Sequence, residues 1–300
     1  MKKSTIITIV VILVVIVGAI FISRILSNKS DNAPTPVNNG PLPTDEIPAP
    51  VENKTETIIG SSVGGRDITA YHFGEGAEEL LFVGGIHGGY EWNTALVAYQ
   101  LMDYLKANPT TIPANLKVTV IPALNPDGLH KVVGTDGRFT AADVSSSQET
   151  VVSGRFNANT VDLNRNFDCD WQAVGKWQNK NVSGGTAAFS EPESLAFKNY
   201  VEANTPVAVV AWYSAAGGVF ASSCHNGVLP ETRTLTNTFA KASGYRAYEE
   251  FNFYEITGDM VNWLAKSNIP AISVLLTNHT DTEWTKNQAG VDALLKHYAK

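Results

Sequence analysis

The chain begins with a run of apolar positions unbroken by charge, "IITIVVILVVIVGAIFI" (residues 6–22), bordered by Lys2, Lys3 and Arg24. Seventeen residues is at the short end of what crosses a bilayer and longer than the apolar stretch of most cleaved leaders, so residues 1–26 read as a membrane anchor. The two lysines favour a cytoplasmic N-terminus, a bias that Arg24 and Lys29 weaken. In residues 27–55 the apolar pattern disappears. Pro34, Pro36, Pro41, Pro43, Pro48 and Pro50 stand among Asn, Ser and Thr, a composition that makes a semi-extended spacer and suits a stalk holding a domain away from a membrane.

From residue 56 the pattern becomes that of a folded domain. "TIIGSSVGGRDITAYHFG" predicts two short strands around the turn at Gly64 and Gly65, and "ELLFVGGIHGG" a buried strand ending in a glycine loop. "WNTALVAYQLMDYL" has helical spacing, and "LKVTVIPALNPDG" is a second buried strand entering a turn. Residues 134–159 are rich in Ser, Gly and Asn and read as irregular. Beyond them a helix is predicted over 191–202, then the strand "PVAVVAWY", a helix over 231–242, the helix "GDMVNWLAKSN", the strand "IPAISVLL" and a last helix, "EWTKNQAGVDALLKHYA". Short apolar strands alternating with helices predict an α/β domain whose mixed, mostly parallel sheet is covered on both faces. In such folds chemistry gathers at the carboxyl ends of the strands. No repeat or second boundary divides residues 56–300.

Composition changes this picture little: 44% hydrophobic, 17% charged, and a net charge of −7 spread along the chain. No Lys/Arg-rich run marks a nucleic-acid surface, so nucleic acid is not an expected partner. The two cysteines, Cys169 and Cys224, fit either one disulfide in an oxidising compartment or two separate buried thiols.

The candidate chemistry lies at the strand ends. His87 and Glu91, in "GGIHGGYEWN", are residue types that bind zinc in hydrolytic sites, where three protein donors and a water complete the shell. In "GRFNANTVDLNRNFDCDW", Arg155 and Arg165 lie near Asn164, and a guanidinium beside an amide suggests a floor for an anion such as a carboxylate. Asn-Pro-Asp-Gly at 125–128 is good turn chemistry on its own.

"GGIHGGYEWN", "NPDG", "VDLNRNFD", "SEPES" and "FYEITGDMVNW", in that order, resemble the zinc carboxypeptidases of the carboxypeptidase A type, especially bacterial secreted members, over residues 56–300. The resemblance implies a three-layer α/β/α domain with a central mixed sheet and one zinc ion. It places His87 and Glu91 at the first two metal ligands and Arg155 at the arginine that polarises the scissile carbonyl. Asn164, Arg165 and Tyr254 fall at the groups that hold the substrate's C-terminal carboxylate. The sequence departs from the family three times. The usual H-x-x-E spacing would select Tyr90, and the flexible Gly88-Gly89 loop is expected to absorb the extra residue so that Glu91 serves. The third-ligand histidine is replaced by Tyr213 in "VVAWYSAAGGVFASSC", and the general-base glutamate by Leu275 in "AISVLLTNH".

A phenol starts from a pKa near 10 and is a poor zinc donor at neutral pH, and Leu275 can move no proton. The expectation is therefore a monomeric, membrane-tethered, extracytoplasmic domain that binds peptide C-termini, cell-wall peptides among them, with the family's catalysis impaired. The rivals are a working carboxypeptidase using Tyr213, His225 or His279 as third ligand, and a non-catalytic scaffold module. Because Cys169 and Cys224 both adjoin motifs that must converge at the site, they are expected to form a disulfide.

Overall fold

The computed structural model describes residues 55–300. The anchor over 1–26 and all but the last residue of the linker over 27–55 lie outside the described residues. Among those described, no helix is long and apolar enough to cross a membrane.

Eight strands form one sheet in the order β1 (Glu56–Ser61), β2 (Asp67–Phe73), β4 (Leu116–Ile121), β3 (Glu78–Val83), β7 (Ala208–Ser214), β10 (Ala271–Leu276), β8 (Gly218–Ala221), β9 (Ala247–Tyr248). The middle of the sheet, β4-β3-β7-β10, is parallel. Antiparallel contacts join β1 to β2, β2 to β4 and β8 to β10, and β9 runs parallel to β8 at the far edge. Burial on both faces explains why the central strands read as unbroken apolar runs.

Side-chain alternation sorts each central strand into two cores. Leu80, Phe82, Val210, Trp212, Ile272 and Val274 pack on one side against helices α1 (Trp92–Ala107), α5 (Pro230–Ser243) and α7 (Trp284–Tyr298). Leu81, Val83, Val209, Ala211, Tyr213 and Leu275 face the other, with Phe197 from α4 (Pro192–Asn204) and Trp263 from α6 (Met260–Lys266). These are the three layers, and the same alternation puts Tyr213 and Leu275 on one face, paired in register across β7 and β10.

Several local features differ from the sequence reading. Asn-Pro-Asp-Gly does not close as an isolated turn but starts helix α2 (Pro126–Val133), because Asn125 caps it by accepting from Gly128 N at 2.9 Å and Pro126 fits the first helical position. The 134–159 stretch contains a short helix, α3 (Gln148–Ser153), capped by Ser147. A hairpin of β5 (Val174–Trp177) and β6 (Lys180–Ser183) stands apart from the main sheet. The edge strands β8 and β9, at four and two residues, are too short to show a period.

The entry to α7 depends on Glu283, held in left-handed backbone at φ +46°. One carboxylate oxygen accepts from Thr277 N (2.7 Å) and Tyr245 Oη (2.8 Å), the other from Thr277 Oγ1 (2.8 Å) and Lys286 Nζ (2.6 Å). Burial opposes ionisation, yet Lys286 and the other donors hold the carboxyl down at about 2. A depressed pKa stabilises the fold above the unfolded value, near 4.3, and that contribution is lost as pH falls through about 2. Glu283→Gln should therefore lower stability at pH 7 by about 2 kcal/mol, with the gap to wild type closing between pH 5 and 2 in urea titrations. A gap that stayed constant across that range would reject the role.

Candidate active site

The site grows from the carboxyl ends of β3, β7 and β10. After β3 the chain turns through His87 into a 3₁₀ turn, Gly88–Glu91. Gly88 has φ +46°, and a Cβ there would lie 2.4 Å from the Gly154 carbonyl oxygen, so only glycine lets the loop lie against its neighbour. The turn takes up the extra residue of the His-x-x-x-Glu spacing. Glu91 Oε1 lies 2.9 Å from His87 Nδ1, whereas Tyr90 points away onto Trp177 and His279, with ring centroids 5.0 and 4.7 Å distant. The other Glu91 oxygen accepts from Ser214 N at 3.0 Å. Although close, Glu91 Oε1 is off the line of a hydrogen bond, and His87 Nδ1 is buried without a hydrogen-bond partner.

Arg155 is 1% exposed and surrounded. Its Nε donates to Asp162 Oδ2 at 2.9 Å, and one terminal nitrogen lies 2.8 Å from the same oxygen as an ion-pair contact. The same terminal nitrogen is 2.8 Å from His87 Nε2, and the other is 3.8 Å from Glu91. The guanidinium also lies 4.5 Å from the Trp177 ring centroid and 5.7 Å from that of Tyr90. Burial works against both charges, but Asp162 and Glu91 keep Arg155 a stronger cation than usual, and Arg155 holds Asp162 far below the ordinary carboxylate range.

Tyr213 occupies the place matched to the third ligand. Its hydroxyl donates to Asn164 Oδ1 at 3.3 Å, and its ring lies 5.5 Å from that of His87. Burial first, then the charges of Asp259 and Glu91, push its pKa well above 10. Leu275 beside it is 7% exposed and offers only carbon.

Asn164 and Arg165 sit on the 3₁₀ turn Leu163–Arg165, capped by Asp162. Asn164 Nδ2 donates to Asp259 Oδ2 at 2.8 Å and its Oδ1 also accepts from Met260 N at 3.1 Å. Arg165 donates from Nε and one terminal nitrogen to the Lys176 carbonyl (2.9 and 2.7 Å) and from the other to that of Asn164 (2.6 Å). Three of its five N–H groups are thus spent on backbone, leaving one on each terminal nitrogen. Tyr254 joins His87, Glu91, Arg155, Asn164, Arg165, Tyr213 and Leu275 in lining one cavity of about 910 Å³. Burial raises the pKa of Tyr254 against the pull of Arg165 and Arg155.

The structure thus brings the motif residues to one cavity, with Cys169 and Cys224 joined by a disulfide, Cα atoms 6.2 Å apart. It separates the two spare histidines. His225 is two-thirds exposed and paired with Asp170. His279 lines the cavity, its Nδ1 buried without a hydrogen-bond partner and its pKa lowered by burial. Sequence reasoning passed over Asp162, Trp177 and Asp259. Asp162 stands in "VDLNRNFD" beside the residues that were chosen, and Asp259 carries the signal of an N-cap before an apolar helix. Trp177 carries none, since only the hairpin fold brings it over Arg155.

A zinc carboxypeptidase (peptidase M14) family profile matches residues 49–281. The chain belongs to the zinc carboxypeptidase family. Among characterised proteins, this family member is 26% identical over 218 residues to γ-D-glutamyl-L-diamino acid endopeptidase 1 of Lysinibacillus sphaericus, a match covering 66% of the chain and 54% of that relative. The chain therefore spans about half of that relative's length. Among solved structures the fold is shared with the murein-tripeptide amidase of Escherichia coli O157 (19% identity, TM-score 0.56, covering 82% and 93% of the two chains). Bovine thrombin-activatable fibrinolysis inhibitor, in complex with tick carboxypeptidase inhibitor, shares it too (16% identity, TM-score 0.61, 80% and 86%).

The family is one of zinc enzymes, and the donors of this zinc carboxypeptidase domain can be tested against that metal. His87 Nδ1, buried with no hydrogen bond, lies 2.9 Å from Glu91 Oε1, close enough for one metal ion to hold both. The third protein donor does not fit: Tyr213 is a neutral phenol engaged with Asn164. Among the described residues, no third His, Cys, Asp or Glu completes a metal-binding group with this pair.

Proposed function

We propose that this zinc carboxypeptidase-family domain binds the free C-terminus of peptides and does not carry out the family's zinc-dependent cleavage. The observation that carries the second half is the buried phenol of Tyr213, in place of a third ligand and paired in register with Leu275, in place of a base. The first half rests on Arg165, whose two uncommitted N–H groups match the two oxygens of a carboxylate. The enzyme rival, with metal on His87 and Glu91 alone, draws on the unpartnered Nδ1 of His87.

Residues 1–26 and 27–55 would tether this domain outside the cytoplasm. The L. sphaericus relative, named for cleavage beside a diamino acid, makes cell-wall peptides the class to try first.

Calorimetry with one peptide in free-acid and C-terminally amidated forms, in the presence of EDTA, tests the reading. The free acid should bind about tenfold or more tightly, the value of charged hydrogen bonds to one carboxylate. Arg165→Lys, which keeps the charge and loses the fork, should narrow that ratio. Equal affinity of the wild-type domain for both forms would reject C-terminal recognition, and peptide cleavage with tightly held zinc would reject the loss of catalysis.

A further inference from the structure

A second cluster of metal-ligating side chains lies around the disulfide, outside the set of residues lining the cavity. Cys169 and Cys224 are buried, at 4% and 6% exposure. The residue after each is in left-handed backbone, Asp170 at φ +53° and His225 at φ +58°, a conformation that non-glycine residues adopt only occasionally, Asp and His more readily than most. The consequence is convergence. Ligand atoms of Cys169, Asp170 and Cys224 all lie within 4.8 Å of one another; His225 stands outside that group and reaches it through Asp170, one of whose oxygens is 3.1 Å from His225 Nε2. As an exposed ion pair alone, Asp170 and His225 would contribute little to stability. With the disulfide reduced, two thiolates and one carboxylate, with an imidazole within reach of that carboxylate, would suit a four-coordinate, borderline-soft divalent cation.

We propose that reduction of the Cys169–Cys224 disulfide turns this corner into a binding site for a zinc-class divalent cation, with Cys169 Sγ, Cys224 Sγ, His225 Nε2 and an Asp170 oxygen as ligands. The reductant is a dithiol. It supplies two electrons and two protons, the S–S bond breaks to give two thiols, and the dithiol leaves as its own disulfide. Metal binding then releases one proton from each thiol. Zinc–sulfur bonds of about 2.3 Å in a tetrahedron place the sulfurs about 3.8 Å apart, so the coordinate link replaces the covalent one with a modest opening of the two side chains. Asp170 and His225, 55% and 67% exposed at their side chains, give the ion its entry. The cluster adjoins the cavity through Cys169, whose carbonyl accepts from Gly258 N at 2.7 Å, four residues beyond Tyr254. The proposal does not depend on what the cavity binds.

Cobalt(II) titration of the purified full chain, before and after treatment with excess dithiothreitol and its removal under argon, reads this site directly. Only thiolate ligation gives intense sulfur-to-cobalt charge-transfer absorption, so ions held by His87 and Glu91 stay silent in that band. The oxidised chain should show none. The reduced chain should develop it at one cobalt per chain, and added zinc should abolish it. His225→Ala should weaken cobalt binding by about tenfold or more, since even loss of a side chain behind a ligand commonly costs 10 to 100-fold. His225 is on the surface, so this variant should fold. Absence of the band in the reduced wild-type chain, or an unchanged affinity in His225→Ala, would overturn the site.

Discussion

The Tyr213→His, Leu275→Glu double variant is expected to hold one zinc ion and release the C-terminal residue of a peptide at least about a hundredfold faster than the parent, the lower end of what a positioned general base contributes. Tyr213→His alone should raise metal affinity without turnover. It replaces a phenol, buried and held neutral, with a donor that needs no ionisation at pH 7, while Leu275 still leaves a bound water without a base. Leu275→Glu alone should add a carboxylate to a position 7% exposed, where without a neighbouring metal it is an uncompensated buried charge and costs stability. Each defect conceals the other. The two positions are direct neighbours across β7 and β10, so their effects should couple rather than add. Zinc content and peptide release for the four proteins in parallel decide the matter. A parent that already holds one tight zinc and matches the double variant in rate would show that neither position is a defect.

How much of this was legible in the sequence differs between the sheet and the site. β3, β7 and β10 announce themselves because both faces are buried and almost every position is apolar, and the helices α1, α4, α5 and α7 keep a helical period long enough to see. β8 and β9 have no such length, and the β5–β6 hairpin alternates over only four residues a strand. In the site, the motif residues could be named because each adjoins a strand end or a cap. Their partners could not. Nothing local to Trp177 says that it will lie over a guanidinium 22 positions earlier in the chain, and Asp162 reads as one acid among several until its hydrogen bond and ion pair with Arg155 are seen. Glu91 rather than Tyr90 lies beside His87 because the intervening residues close a 3₁₀ turn, a matter of backbone path that residue spacing leaves open.

Arg155→Ala should be among the most destabilising single changes in the domain, by about 3–5 kcal/mol, because it strands Asp162 and Glu91 as buried anions. Asp162 is fully buried and Glu91 2% exposed, and the guanidinium is the group that makes the ionised form of Asp162 favourable against the cost of burial. For a domain of this size the loss should appear as a fall of about 6–20 °C in the thermal midpoint. Arg155→Lys should lose less, since it keeps a cation near Asp162 but cannot span Asp162, His87 and Trp177 as the planar fork does. Thermal melts with and without EDTA separate this account from one in which a metal supplies the positive charge. If Arg155 is the cation that matters, wild type melts at the same temperature with or without chelator, and Arg155→Ala is strongly destabilised in both conditions. If a resident metal holds the anions instead, EDTA lowers the wild-type midpoint and the loss of Arg155 costs little while metal remains, a pattern that would end the reading of Arg155 as the cation that holds Asp162 and Glu91.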